Sequence, residues 1–250
     1  MAAGPALSTA AGLQARLAEM GAPERAAGEK AYLKSELTFV GVRVPDVRRE
    51  VKAVLRAGFT HDELFALADE LWSQPVHEHR LAAIELLHQS PGLLGAADLP
   101  WIEAHLRECH TWALVDPLAG WVVGEIVVRE PQAALPVLDR WVGDHDFWVR
   151  RSAMLGLARS LAKGRELQRC FAYADRLLPE REFFIRKVIG WVLRDLARTH
   201  PAEVSAWLRA NMVGMNLVTL REPLRRLPDA VELRALYDAL GQGRRRNSAG

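Results

Sequence analysis

Cys109–Val128 reads CHTWALVDPLAGWVVGEIVV. Most of it is an apolar run of the kind that forms a buried helix. Trp112 and Asp116 stand apart: they are four residues apart, so on a continuous helix they share one face. A lone carboxylate beside an indole on such a helix costs desolvation energy unless it has a partner or a task. Pro117 follows directly, and a residue before proline is pushed out of the α region. Two outcomes are open: Asp116 is the N-cap of a helix that begins at Pro117, or a kinked helix keeps Trp112 and Asp116 together.

Working outward, the same pattern returns. PVHEHRLAAIELL, HTWALVDPLAGWVV, HDFWVRRSAMLGLA and REFFIRKVIGWVLR align so that Arg80, Asp116, Arg151 and Lys187 fall in one slot, at steps of 36, 35 and 36 residues. His77, Trp112, Trp148 and Phe184 precede the slot by three or four residues. A period of this length built from helices alone predicts an all-α, HEAT-like solenoid of stacked antiparallel helix pairs. Period-two alternation of β-branched residues, the mark of a strand, is missing. Equivalent positions on stacked repeats form a ladder, so the slot residues are expected on one concave basic face with Trp112, Trp148, Phe184 and Trp191 beside them. The same spacing also suits residues that pack one repeat on the next. The expected organisation is a partly disordered extension over 1–22, a repeat domain over 23–240 and a disordered basic tail over 241–250.

Composition narrows the function. The chain has 250 residues, half of them hydrophobic, and a net charge of +2. It is therefore no histone-like polycation, although a balanced total can hide a basic stripe. Arg outnumbers Lys heavily, with only five Lys among 33 basic residues, and the planar Arg fork suits phosphate. Two cysteines cannot build a disulfide framework or a four-cysteine zinc site. The opening MAAGPALSTAAGLQAR lacks the pattern of a signal peptide, and no run of about 18 apolar residues could span a membrane. A cytoplasmic location is expected.

The blocks AYLKSELTFVGVRVPDVRRE, TWALVDPLA, FWVRRSAM and EFFIRKVIGWVLRDLART resemble the AlkD-type DNA alkylation repair proteins, HEAT-like alkylpurine DNA glycosylases, from about Ala31 to Ala230. The resemblance implies that Trp112 and Trp191 flank the lesion, that Asp116 is the catalytic carboxylate, that Arg151 holds the DNA backbone and that Tyr32 lies near the same cleft. Arg80, Trp148, Arg150 and Lys187 join them as expected DNA contacts. The implied reaction is removal of cationic N3- or N7-alkylated purines from duplex DNA by a monomer, without obligatory base flipping and with no metal or cofactor. Such a base is already a good leaving group, so the site must stabilise positive charge on the sugar and position water. Indole faces attract cations by about 0.5–2 kcal/mol each. Other readings are a protein-binding HEAT scaffold, a silent DNA-binding relative, and a glycosylase for bulky minor-groove adducts.

Overall fold

The structure, a computed structural model, describes residues 8–247, with side chains through Gly241. Among the described residues every regular element is a helix, and one isolated parallel bridge pairs Thr38 with Val76. The chain divides into two compact units, Met1–Ala134 and Leu135–Gly250.

In the first unit the helices Ala10–Glu19, Pro23–Leu33, Val44–Val54, His61–Trp72, His77–Gln89 and Leu99–Glu108 precede the Trp112 segment. Local chemistry sets their ends. Thr60 and Glu63 form a reciprocal capping box at the start of His61–Trp72, which satisfies two otherwise orphaned amides. Pro23–Leu33 stops at Lys34, whose backbone is left-handed (φ 50°). The following loop is docked by Glu78. This carboxylate is 0% exposed and accepts the amides of Val40 (2.9 Å), Gly41 (2.6 Å) and Val42 (3.2 Å). Gly41 is obligatory there: its φ is +84°, and a Cβ would lie 2.2 Å from the Ala22 carbonyl oxygen.

In the second unit the helices Phe147–Gly156, Leu167–Leu177, Phe183–Leu196, Pro201–Asn211 and Leu217–Arg221 lead to Ala230–Asn247. The repeat register is visible in both units. The slot-bearing helices begin after Val76, Thr111, Asp146, Glu182 and Asn216, at intervals of 34–36 residues. Four of these caps accept a backbone amide through the side chain. The helices between them are tied to their neighbours by another ladder, with Trp101 Nε1 donating to Asp69 (2.8 Å) in the first unit. In the second, Tyr173 Oη donates to Asp139 and Trp207 Nε1 to Asp175, both at 2.7 Å. These bonds place an aromatic donor about one repeat from its acceptor, which is how repeats lock to their neighbours.

Both ends of the described chain are helical. Ala10–Glu19 is capped by Thr9 and buries Leu13 and Leu17 completely; residues 1–7 lie outside the described ones. The last helix continues to Asn247, past the expected end at Leu240, in spite of Gly241 and Gly243, which are poor helix formers. Of the expected disordered tail, residues 248–250 lie outside the described ones. Among the described residues no helix is long and apolar enough to cross a membrane.

Candidate active site

Pro117 removes an amide, and its ring would press on the carbonyl four residues back in an α-helix. The chain resolves this without a break. Trp112–Pro117 is α-helical with Thr111 as N-cap, Leu118–Val123 is a π-helix, and Gly124–Arg129 is α-helical again. Asp116 is therefore inside a helix and is not its N-cap. A π turn closes i to i+5 and so holds one residue more than an α turn. The sequence carries that residue: Trp121 follows Asp116 by five positions, whereas Trp191 follows Lys187 by four.

Trp112 and Asp116 are both half-buried. Tyr32, at the end of Pro23–Leu33, is 72% exposed and meets the Trp112 ring edge-on, with centroids 6.2 Å apart. Glu78 anchors the chain eight residues on, at the Val40 amide. The first unit thus brings the Tyr32 ring against Trp112, which shares its helix with the Asp116 carboxylate.

The second unit brings together Arg151, Lys187 and Trp191 and adds three residues absent from the sequence expectations, Arg194, Glu222 and Arg225. Arg151, Lys187 and Arg194 each place their charged centre 5.7 Å from the half-buried Trp191 ring. Glu222 accepts Lys187 Nζ on Oε1 and Arg194 Nη1 on Oε2, both at 3.1 Å, with Arg225 Nη1 3.5 Å away. Burial alone would push the Glu222 carboxyl up, but the hydrogen bond and charge of Lys187, with Arg225 and Arg194, hold it below the ordinary range. Glu222 was findable: it lies 35 residues after Lys187, in the fifth slot of the repeat. An apolar cavity of about 350 Å³ adjoins the ring, walled by Leu155, Leu161, Val192 and Leu196.

The remaining expected DNA contacts are engaged with protein. Arg151 is only 2% exposed and donates to the Phe184 carbonyl oxygen at 2.6 Å, so it packs Trp191 and the next repeat. Arg150 forks onto Glu180 through Nε (2.6 Å) and Nη2 (2.7 Å), and its Nη1 holds the carbonyls of Asp144 and His145. Trp148 is buried against Phe184, with centroids 4.8 Å apart. Arg80, in the first unit, lies over Trp72 at 5.1 Å and donates to the Glu108 carbonyl oxygen at 2.7 Å. Among the described residues no group of three or more His, Cys, Asp or Glu is placed to hold a metal ion.

Comparisons with known proteins identify the family and the fold. The family model described as DNA alkylation repair enzyme matches residues 13–227. A predicted DNA alkylation repair enzyme from Enterococcus faecalis superposes with a TM-score of 0.76 at 23% identity, covering 84% of this chain and 97% of that one. AlkD2 from Streptococcus mutans gives a TM-score of 0.55 at 17% identity, over 83% of this chain and 96% of that one. The smu.31 protein from Streptococcus mutans UA159 gives 0.53 at 18% identity, over 76% and 90%. At such identities the likeness is one of fold. A search of the curated proteins finds no match.

Proposed function

The chain belongs to the DNA alkylation repair enzyme family, and from that premise we propose that it is a DNA glycosylase for cationic N3- and N7-alkylated purines in duplex DNA. The observation that carries the reading is the uninterrupted helix through Pro117, which keeps Asp116 half-buried one turn from Trp112.

The chemistry follows from the substrate. The bond between C1′ and the purine nitrogen breaks, its electron pair goes to the base, and the base leaves neutral. Positive charge builds on the sugar, where the Asp116 carboxylate opposes it. Water then bonds to C1′, and its proton passes to the carboxylate or to solvent. Trp112 offers its face to the cationic base or sugar, with Tyr32 bracing the ring. This route needs no rotation of the base into a deep pocket, the usual device of glycosylases. Lys187 and Arg194 beside Trp191 offer their positive charges to backbone phosphate, which fixes register without reading sequence. Monomeric action on DNA and the absence of a cofactor requirement belong to the same proposal.

The test is release of free bases. Incubation with methylated duplex DNA is expected to liberate 3-methyladenine and 7-methylguanine above the spontaneous rate. Release no faster than in protein-free controls would overturn the reading.

A further inference from the structure

Beside Trp191 the surface is built as a preformed array. Glu222 is the buried partner: its side chain is 7% exposed, against 32% for Lys187, 25% for Arg194 and 61% for Arg225. The anion faces inward and the cations keep part of their surface in water. The ratio is uneven as well. With Asp195, which takes Arg194 Nε at 3.1 Å, two carboxylates meet three cations, Lys187, Arg194 and Arg225. An exposed one-to-one pair contributes little; an excess of oriented cations suits an outside anion.

The backbone is arranged to bring Glu222 in. Gly190 precedes Trp191, and a Cβ there would meet the Thr219 carbonyl oxygen at 2.9 Å and Glu222 Cβ and Cγ at 3.2 Å. Asn216 caps Leu217–Arg221 through the Thr219 amide, and Thr219 Oγ1 donates to the Arg186 carbonyl oxygen at 3.1 Å. Glu222 therefore comes close to the Lys187–Arg194 turn through main-chain geometry.

Resting on the glycosylase reading, we propose that Glu222 is a positioning residue, whose buried carboxylate holds Lys187 and Arg194 beside Trp191 as a ready seat for one DNA backbone phosphate. Orienting the two cations in advance removes part of the ordering cost of binding. It also fixes the lesion strand relative to Trp191.

Two variants test this against a packing role. Glu222→Gln keeps the size and removes the charge. One fewer fixed negative charge leaves one more cation for DNA to neutralise, so the slope of log affinity against log salt for undamaged duplex steepens by about one unit. Glu222→Asp keeps the charge but is one methylene too short to reach both cations. It keeps the wild-type slope. Both variants slow single-turnover release of 7-methylguanine several-fold at saturating protein. The inference is overturned if both variants keep the wild-type slope and rate while only melting temperature moves. Wild-type protein that binds duplex without releasing base would remove the glycosylase reading, and the slope comparison would still decide the seat. Wild-type protein that fails to bind duplex would overturn both.

Discussion

Around Trp191 three protein cations already stand 5.7 Å from the ring centroid, whereas the ring partner of Trp112 is the neutral Tyr32. The sequence makes the two indoles look alike, but their surroundings make them unlike. A cationic base gains little from a ring whose field is engaged by Arg and Lys, and it is repelled by them. Trp112→Ala is therefore expected to lose more activity on 7-methylguanine than affinity for a duplex with a neutral abasic analogue. Trp191→Ala should weaken binding to lesion and abasic duplexes alike. Titration of both duplexes with both variants checks this, and a selective cationic defect in Trp191→Ala would contradict it. Arg151 shows why residue roles were only partly legible. Its slot, its charge and its family match were visible in FWVRRSAM, but a 2% exposed guanidinium on a carbonyl oxygen depends on the next repeat's backbone. Arg151→Ala is accordingly expected to lower the melting temperature, at a cost of about 2–5 kcal/mol for a large buried side chain and a lost charged hydrogen bond. An unchanged melting curve would return Arg151 to the DNA surface.

At the scale of elements, the repeat period in the sequence showed the helices. The Glu78 anchor was not legible, because a Glu flanked by two His in PVHEHR reads as a solvated turn of helix. Only the fold shows that three consecutive amides converge on it. Glu78→Gln leaves at least one amide poorly satisfied and should cost about 1–3 kcal/mol, measurable by denaturant unfolding; a cost near zero would mean that the loop is held by Gly41 packing alone. Buried histidines on this helix and on Leu99–Glu108 carry a pH dependence. Burial holds His77, His79 and His105 below the ordinary His range, with Glu78 partly offsetting it at the first two. Unfolding frees these rings to bind protons near pH ~6.5. Their contribution to stability is complete above that pH and is lost as pH falls below it. His61 is shifted upward by Asp62 and Asp98 and acts oppositely, but its ring is exposed and screened, so its share is small. Melting temperature should fall between pH 7.5 and 5.5; a rise would contradict the assignment of neutral buried rings.

For the molecule as a whole, a period of about 35 residues and four quoted blocks were enough to point to the fold and the family, because repeats write the same packing problem several times. A net charge of +2 gave no such help with DNA, since many of the cations are consumed by carboxylates and carbonyls in the folded chain. The central claim is that Asp116, kept in a continuous helix by the π turn, stabilises a cationic sugar. Asp116→Asn preserves shape and hydrogen-bonding reach and removes only the charge. Single-turnover release of 7-methylguanine from a defined duplex, at protein concentrations that saturate binding, measures the consequence. The account predicts a loss of about 2–4 kcal/mol in the transition state, or roughly 30- to 1000-fold in rate, with duplex affinity equal to or above wild type. An Asp116→Asn protein that releases the base at the wild-type rate would contradict it.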